Sequence, residues 1–153
     1  MRLAILSAAA VLVAATPAFA NETRLEARGG VYWTDGYTQG TAGVAAGYDM
    51  DLGPAAFVGA EVSADKILDS GTKVAFGFTG RGGAKLGPVG KLYVDGGYTT
   101  EPCDLCDGSW HAGAGYEHSF GPMLYGKVAY RHYFTDNGVP DSNAVIAGVG
   151  VKF

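Results

Sequence analysis

The sequence predicts an all-β chain in which eight antiparallel strands follow one another up and down and close into a barrel. Three observations carry this prediction. Along most of the chain, apolar residues alternate with small, polar or charged ones at a period of two, the repeat of a strand with two unlike faces. Gly-Pro pairs recur at Gly53-Pro54, Gly87-Pro88 and Gly121-Pro122, spaced 34 residues apart each time, within "DLGPA", "KLGPV" and "SFGPM", and such pairs mark turns. Longer polar connections fall between them: "TDGYTQGT" (34–41), "DKILDSGTK" (65–73), "TTEPCDLCDGS" (99–109) and "FTDNGVPDSN" (134–143). Tight and long connections therefore alternate and leave eight segments of strand length. A 34-residue period also suits arrays of helix pairs, but glycine and β-branched residues fill these segments, and both disfavour helix.

The first twenty residues, "MRLAILSAAAVLVAATPAFA", combine Arg2, an apolar stretch and a small-residue ending Ala18-Phe19-Ala20. This is the pattern of a cleaved secretory signal. Residues 1–20 are expected to be a signal peptide, and residues 21–153 one barrel domain. Without Arg2 the formal net charge moves from −4 to −5, and no basic patch suggests nucleic acid. The rest of the chain lacks an apolar run long enough for a spanning helix.

Each strand presents an apolar face in turn. The first carries Leu25, Ala27, Gly29, Val31 and Trp33; the second Val44, Ala46, Tyr48, Met50 and Leu52; the third Val58, Ala60, Val62 and Ala64. The fourth carries Val74, Phe76, Phe78, Gly80, Gly82, Ala84 and Leu86, and the fifth Leu92, Val94, Gly96 and Tyr98. The sixth carries Trp110, Ala112, Ala114 and Tyr116, the seventh Leu124, Gly126, Val128 and Tyr130, and the eighth Val145, Ala147, Val149, Val151 and Phe153. No charged residue is expected on this face. The opposite face holds Glu26, Arg28, Asp49, Asp51, Glu61, Asp65, Arg81, Lys85, Asp95, Glu117, Lys127, Arg131 and Lys152 among glycines, seven acids against six bases.

Alternation alone permits a soluble barrel with the apolar face inward, holding an apolar ligand, or a membrane barrel with that face in lipid. An even strand number, alternating connection lengths and aromatics near strand ends (Trp33, Tyr48, Tyr98, Trp110, Tyr116, Tyr130, Phe153) favour the membrane form. Hydrocarbon leaves no edge strand tolerable, so the last strand must pair with the first. That requirement explains why the alternation runs to the terminal "VGVKF".

On these residues the chain resembles the small eight-stranded outer-membrane barrels of Gram-negative bacteria, the OmpA, OmpX and opacity type, over its whole length after residue 20. The resemblance implies an outer-membrane location, contact with outer-membrane lipid and lipopolysaccharide, and assembly by the barrel-assembly machinery. That machinery would read a terminal aromatic after alternating apolar residues, here Val149, Val151 and Phe153. It also implies that the Gly-Pro turns face the periplasm and the longer connections face outside.

Eight strands enclose a bore only wide enough for side chains, so the charged face is expected to pack as a network of Glu26, Arg28, Glu61, Arg81, Asp95, Glu117, Lys127 and Arg131. A paired buried charge is tolerable where a lone one is not. Cys103 and Cys106, in C-x-x-C spacing within the third long connection, are expected to form a local disulfide. With His111 they would also match Cys-x2-Cys-x4-His, completed by a residue such as Asp104, a weak match to a metal site. The segment around His132 is distantly similar to that of lipid A deacylases of the PagL type, but Phe134 stands where the nucleophilic serine would be. Tyr130, His132 and Phe134 read better as an aromatic girdle, and so does His118. No catalytic residue, cofactor or metal is expected, and the ligand is unknown. The function expected is a non-enzymatic structural or surface role, with a narrow pore, a lipid A-modifying enzyme and a soluble lipocalin-like barrel as alternatives.

Overall fold

The computed structural model describes residues 21–135 and 138–153, so the expected signal peptide lies outside the described residues. Eight strands form one closed, all-antiparallel barrel: β1 (Glu22–Thr34), β2 (Tyr37–Asp51), β3 (Ala56–Ile67), β4 (Val74–Leu86), β5 (Gly90–Thr99), β6 (Ser109–Ser119), β7 (Leu124–Phe134) and β8 (Ser142–Lys152). Every strand pairs with its sequence neighbours, and β8 closes on β1 from Arg24↔Lys152 to Trp33↔Asn143. Thr23 N–H donates to the Phe153 carbonyl at 2.8 Å and Phe153 N–H to the Thr23 carbonyl at 3.0 Å. The terminal residue thus completes the seam.

The register fixes the barrel's shape. Followed from strand to strand, the paired row that leaves β7 at Leu124 passes through Val151, Leu25, Ala46, Val62, Phe78, Tyr98 and Trp110. It returns to β7 at Phe134, ten residues further along. With strands about 4.8 Å apart and a rise of about 3.3 Å per residue, that stagger gives a tilt of about 40° and a backbone radius of about 8 Å. Rows of paired residues therefore climb from one end of the barrel to the other.

The apolar face is outward: Val44, Val62, Phe76, Phe78, Val94, Trp110, Val128 and Val149 are all exposed. The charged face is inward, where glycines make room for long side chains. A Cβ on Gly47 would meet Arg24 Nη2 at 2.4 Å, and one on Gly148 would meet the Glu26 carboxyl at 2.7 Å. The outward face needs one correction. Lys66 follows Val62 and Ala64 on the outward side of β3, paired with Ala42 and Val74, so the face is not free of charge.

The alternation of connections also needs one. The expected 34–41 connection is a two-residue turn, Asp35-Gly36, with Thr34 paired to Tyr37, so the lengths do not alternate strictly. Asp-Gly is the preferred pair for a tight hairpin turn requiring positive φ, and Gly36 has φ 73°. The polar residues after it continue β2. At the same end the other connections are longer: 68–73, 100–108 and 135–141. Residues 52–55, 87–89 and 120–123 make the short turns at the opposite end.

Candidate functional site

The lumen is the most highly organised part of the molecule. Glu26, Arg28, Glu61, Arg81, Asp95, Glu117, Lys127 and Arg131 are all buried inside it. Glu61 on β3 is the hub. Its carboxylate accepts from Arg28 Nη1 at 2.7 Å and Lys127 Nζ at 2.9 Å, and lies 3.3 Å from Arg131 Nη2 and 3.5 Å from Arg24 Nη1. Each of these cations has a second carboxylate: Arg28 grips Asp65, Lys127 lies 3.0 Å from Glu26, Arg131 donates to Asp95 at 2.9 Å, and Arg24 lies 3.4 Å from Asp49.

A second hub sits nearer the short turns. Asp49 accepts from Arg81 Nε at 2.9 Å and from its Nη2, and Lys91 Nζ donates to it at 3.0 Å. Arg81 also reaches Glu117 at 3.0 Å. The Arg81 guanidinium lies 4.9 Å from the centroid of Tyr93 and 5.2 Å from that of Phe57, while Lys91 Nζ stands 5.0 Å from Phe57. Buried rings thus solvate the cations by cation–π contact. Tyr125, fully buried, donates to Glu26 at 3.0 Å.

Sequence reading missed Arg24 and Lys91 in this network. The signal was present: Arg24 shares the parity of Glu26 and Arg28, and Lys91 that of Asp95. With Glu22, which accepts from Lys91 at 2.7 Å and lies 2.9 Å from Lys152, the seven acids and six bases become eight of each. Lys85 pairs with Asp51 at the same rim.

These pairs cross the bore. In an eight-membered ring β3 and β7 are opposite, as are β1 and β5, so Glu61 with Lys127 and Arg131, and Glu22 with Lys91, tie facing walls together. The barrel's cross-section is spanned by ion pairs at two levels.

Above the network the lumen turns less charged. His111 on β6 is buried, with Nε2 3.1 Å from Thr79 Oγ1 and Nδ1 3.1 Å from Thr99 Oγ1. Its ring meets that of Tyr133 at a tilt, centroids 5.6 Å apart, and Tyr133 meets Tyr32 at 6.1 Å. A recess of about 80 Å³ remains at the mouth, lined by Tyr32, Asp65, Thr99 and Tyr133, room for a few waters. The Cys-x2-Cys-x4-His match does not form a metal site. His111 points into the lumen because strand parity puts it opposite Trp110, while Cys103 and Cys106 are bonded to each other at 1.94 Å within the 100–108 connection.

The loop that carries this disulfide is tied to its neighbour. Thr72 bridges to Cys103, Lys73 N–H donates to the Pro102 carbonyl at 2.8 Å, and Lys73 Nζ lies 3.5 Å from Glu101 and 3.3 Å from Asp104. In the 68–73 connection the Tyr37 hydroxyl and the Ser70 N–H donate to Asp69 and hold its carboxyl below the usual carboxylate range.

At the outer end of β7, His132 faces outward. Nδ1 is 2.8 Å from Asn143 Oδ1 and Nε2 3.2 Å from Asp141 Oδ2, and Tyr130 O–H donates to the same Asn143 oxygen at 2.6 Å. Both ring nitrogens are engaged, and no serine or cysteine is among these partners to act as nucleophile. The cluster clamps the 135–141 connection, where the Thr135 N–H chiefly, helped by His132, holds the Asp141 carboxyl low against the opposing effect of desolvation. Around it lie the aromatic pairs Trp33–Tyr130, Tyr98–Trp110 and His132–Phe134, at 6.3, 5.4 and 4.8 Å. His118 sits between Tyr116 and Phe120 near the other rim.

No family model matches the sequence, and no curated protein matches it in sequence. Solved structures do match in shape. The N-terminal β-barrel domain of OprF from Pseudomonas aeruginosa superposes with a TM-score of 0.65 at 16% identity, covering 86% of this chain and 97% of that domain. The fold is that of the small outer-membrane β-barrels. Ail, the attachment invasion locus protein and an outer membrane protein of Yersinia pestis, matches such a barrel with TM-score 0.60 at 13% identity, over 88% of this chain and 99% of its own. Neisserial surface protein A matches with TM-score 0.58 at 12% identity, over 87% and 97%. At these identities the likeness establishes the barrel fold.

Proposed function

We propose that the chain is an integral outer-membrane barrel of a Gram-negative cell, with a sealed lumen and a structural or surface-interaction role rather than a catalytic one. The observation that carries this reading is the pairing of an outward apolar face with ion pairs that cross the bore. The first suits lipid and no aqueous surface; the second leaves no room for a general channel. The two ends support the orientation. The short turns at 52–55, 87–89 and 120–123 contain no charged residue, whereas the described residues of the opposite connections include Asp35, Asp69, Glu101, Asp104, Asp107 and Asp141 against Lys73. Acidic connections suit the cell surface, and short uncharged turns the inner boundary of the membrane. Val149, Val151 and Phe153 serve as the assembly signal, the last strand presenting its apolar edge to the machinery before it closes on β1. Residues 1–20 are the export signal.

The experiment is fractionation of envelopes followed by electrophoresis with and without boiling, together with conductance of the purified barrel in planar bilayers. A heat-modifiable band in the outer-membrane fraction with no stable conductance is the expected outcome. Release with soluble periplasmic proteins refutes the membrane reading, and steady channels refute the sealed lumen.

A further inference from the structure

The outward wall of β8, β1, β2, β3 and β4 is not convex. An apolar trough of about 620 Å³ crosses it from Leu25 and Val151 to Phe76 and Phe78, lined between them by small residues such as Ala46 and by the exposed Val44 and Val62. It crosses four strand spacings, about 19 Å at about 4.8 Å each, long enough for one extended acyl chain. Because paired rows climb around the barrel, the trough rises from the inner half of β8 to the outer half of β4.

At its upper edge stands Lys66, two residues beyond Ala64 on the same face of β3, a separation of about 7 Å. The row through Lys66 continues the small-residue surface, pairing it with Ala42 and, beyond, Gly29 and Ala147. Lys66 also differs in its charge balance. Among the described residues Arg24, Arg28, Lys73, Arg81, Lys85, Lys91, Lys127, Arg131 and Lys152 all lie within 4.0 Å of a carboxylate, and Lys66 does not. Its ammonium bonds only to the neutral carbonyl of Thr72 and, at 3.2 Å, to Thr72 Oγ1. A third donor and the whole positive charge remain.

From this juxtaposition we propose that the wall binds one phosphorylated, acylated glycolipid of the outer leaflet, of lipid A chemistry, with an acyl chain in the trough and a phosphate on Lys66. An ammonium at the headgroup level over a hydrocarbon slot matches an anionic headgroup above a chain, and a charge-assisted contact to phosphate needs no bidentate geometry. The acidic connections around it leave Lys66 as the anchor for an anion on this side. The inference rests on the outer-membrane placement proposed above.

The test is native mass spectrometry of the purified barrel in detergent, titrated with bisphosphorylated lipid A, its dephosphorylated form and phosphatidylglycerol. Wild type is expected to retain one lipid A, with affinity falling about tenfold on dephosphorylation and about tenfold in Lys66→Gln. Lys66→Arg should keep most of it. Ala46→Phe, which fills the trough, should lose binding, while Ala112→Phe on the exposed far wall should leave it unchanged. Each variant is first checked for a heat-modifiable band, so a chain that is no membrane barrel fails there, separately from the lipid site. Unchanged binding in folded Lys66→Gln or Ala46→Phe, equal retention of phosphatidylglycerol, or a dimer seated on this wall overturns the proposal.

Discussion

Replacing Glu61 by glutamine removes one negative charge from the point where four cations converge. Arg28, Lys127, Arg131 and Arg24 lie 2.7, 2.9, 3.3 and 3.5 Å from its oxygens. Breaking a buried pair by removing one partner costs about 3–5 kcal/mol, because the remaining charge stays desolvated. Here each cation keeps a second carboxylate, Asp65, Glu26, Asp95 or Asp49, which places the cost near the lower end, about 3 kcal/mol. Against a total of about 5–15 kcal/mol, the barrel should still fold. With a urea slope of about 2 kcal/mol per molar, the unfolding midpoint should fall by about 1.5 M, read from Trp33 and Trp110 fluorescence in detergent micelles. Pairing the change with Lys127→Met removes one of the stranded cations, so the double variant should be less destabilised than the two single costs added. A midpoint within about 0.3 M of wild type for Glu61→Gln, or strict additivity with Lys127→Met, refutes the view that Glu61 organises the lumen.

Deleting Phe153, or changing it to Asp, removes the pair of backbone bonds to Thr23 or their apolar cover. It should abolish the heat-modifiable band in cells while leaving the chain exported. Reducing the Cys103–Cys106 bond closes no large loop and should cost at most about 2 kcal/mol, confined to residues 100–108. Faster proteolysis there with an unchanged gel shift is the expected pair of results. A methyl at Gly47 would sit 2.4 Å from Arg24 Nη2, so Gly47→Ala should destabilise the barrel by about 1–3 kcal/mol through overpacking, measured in the same urea titration. The folded-state pKa of Asp141 is depressed. The stability it lends to the 135–141 clamp is therefore fully present above its unfolded pKa and is lost only as pH falls through the depressed folded value. Protease protection of that connection should persist down through the ordinary carboxylate range and then fail, and Asp141→Asn should remove this acid step.

Strand number and facing were legible because each rests on local alternation, which a window of a few residues contains. The partners were not. Glu61 meets Lys127 66 residues away and Arg131 70 residues away, and those meetings depend on the ten-residue stagger of the closed register, which no single strand records. Arg24, Lys91 and Lys66 were within reach of parity but lay just beyond the runs taken as strands. The first connection misled for a different reason. Polar residues after Asp35-Gly36 read as loop, yet a strand that rises past the apolar band can be polar on both faces without cost. His111 shows the same limit from the other side: its spacing from the cysteines suggested chemistry, yet strand parity sent its ring into the lumen and the cysteines closed on each other in the connection.

The charge distribution separates what holds the barrel together from what it offers to others. In the lumen and at its rims eight acids face eight bases, and glycines open the wall wherever a long side chain must lie flat, as Gly47 does for Arg24 and Gly148 for Glu26. Such balance serves folding: every buried ion is paired, and little charge is left to attract a solute. Lys66 breaks the pattern in both position and pairing, facing outward with only Thr72 oxygens for partners. In lipid an uncompensated charge is costly unless its end can reach the headgroups, so a fold with no use for an outward cation at that height would do better with an apolar residue. Exchanging Lys66 for leucine should therefore preserve or raise stability in detergent while weakening capture of a phosphorylated lipid. A clear loss of stability would instead make Lys66 a strut for the 68–73 connection and remove the reason to look for a lipid there.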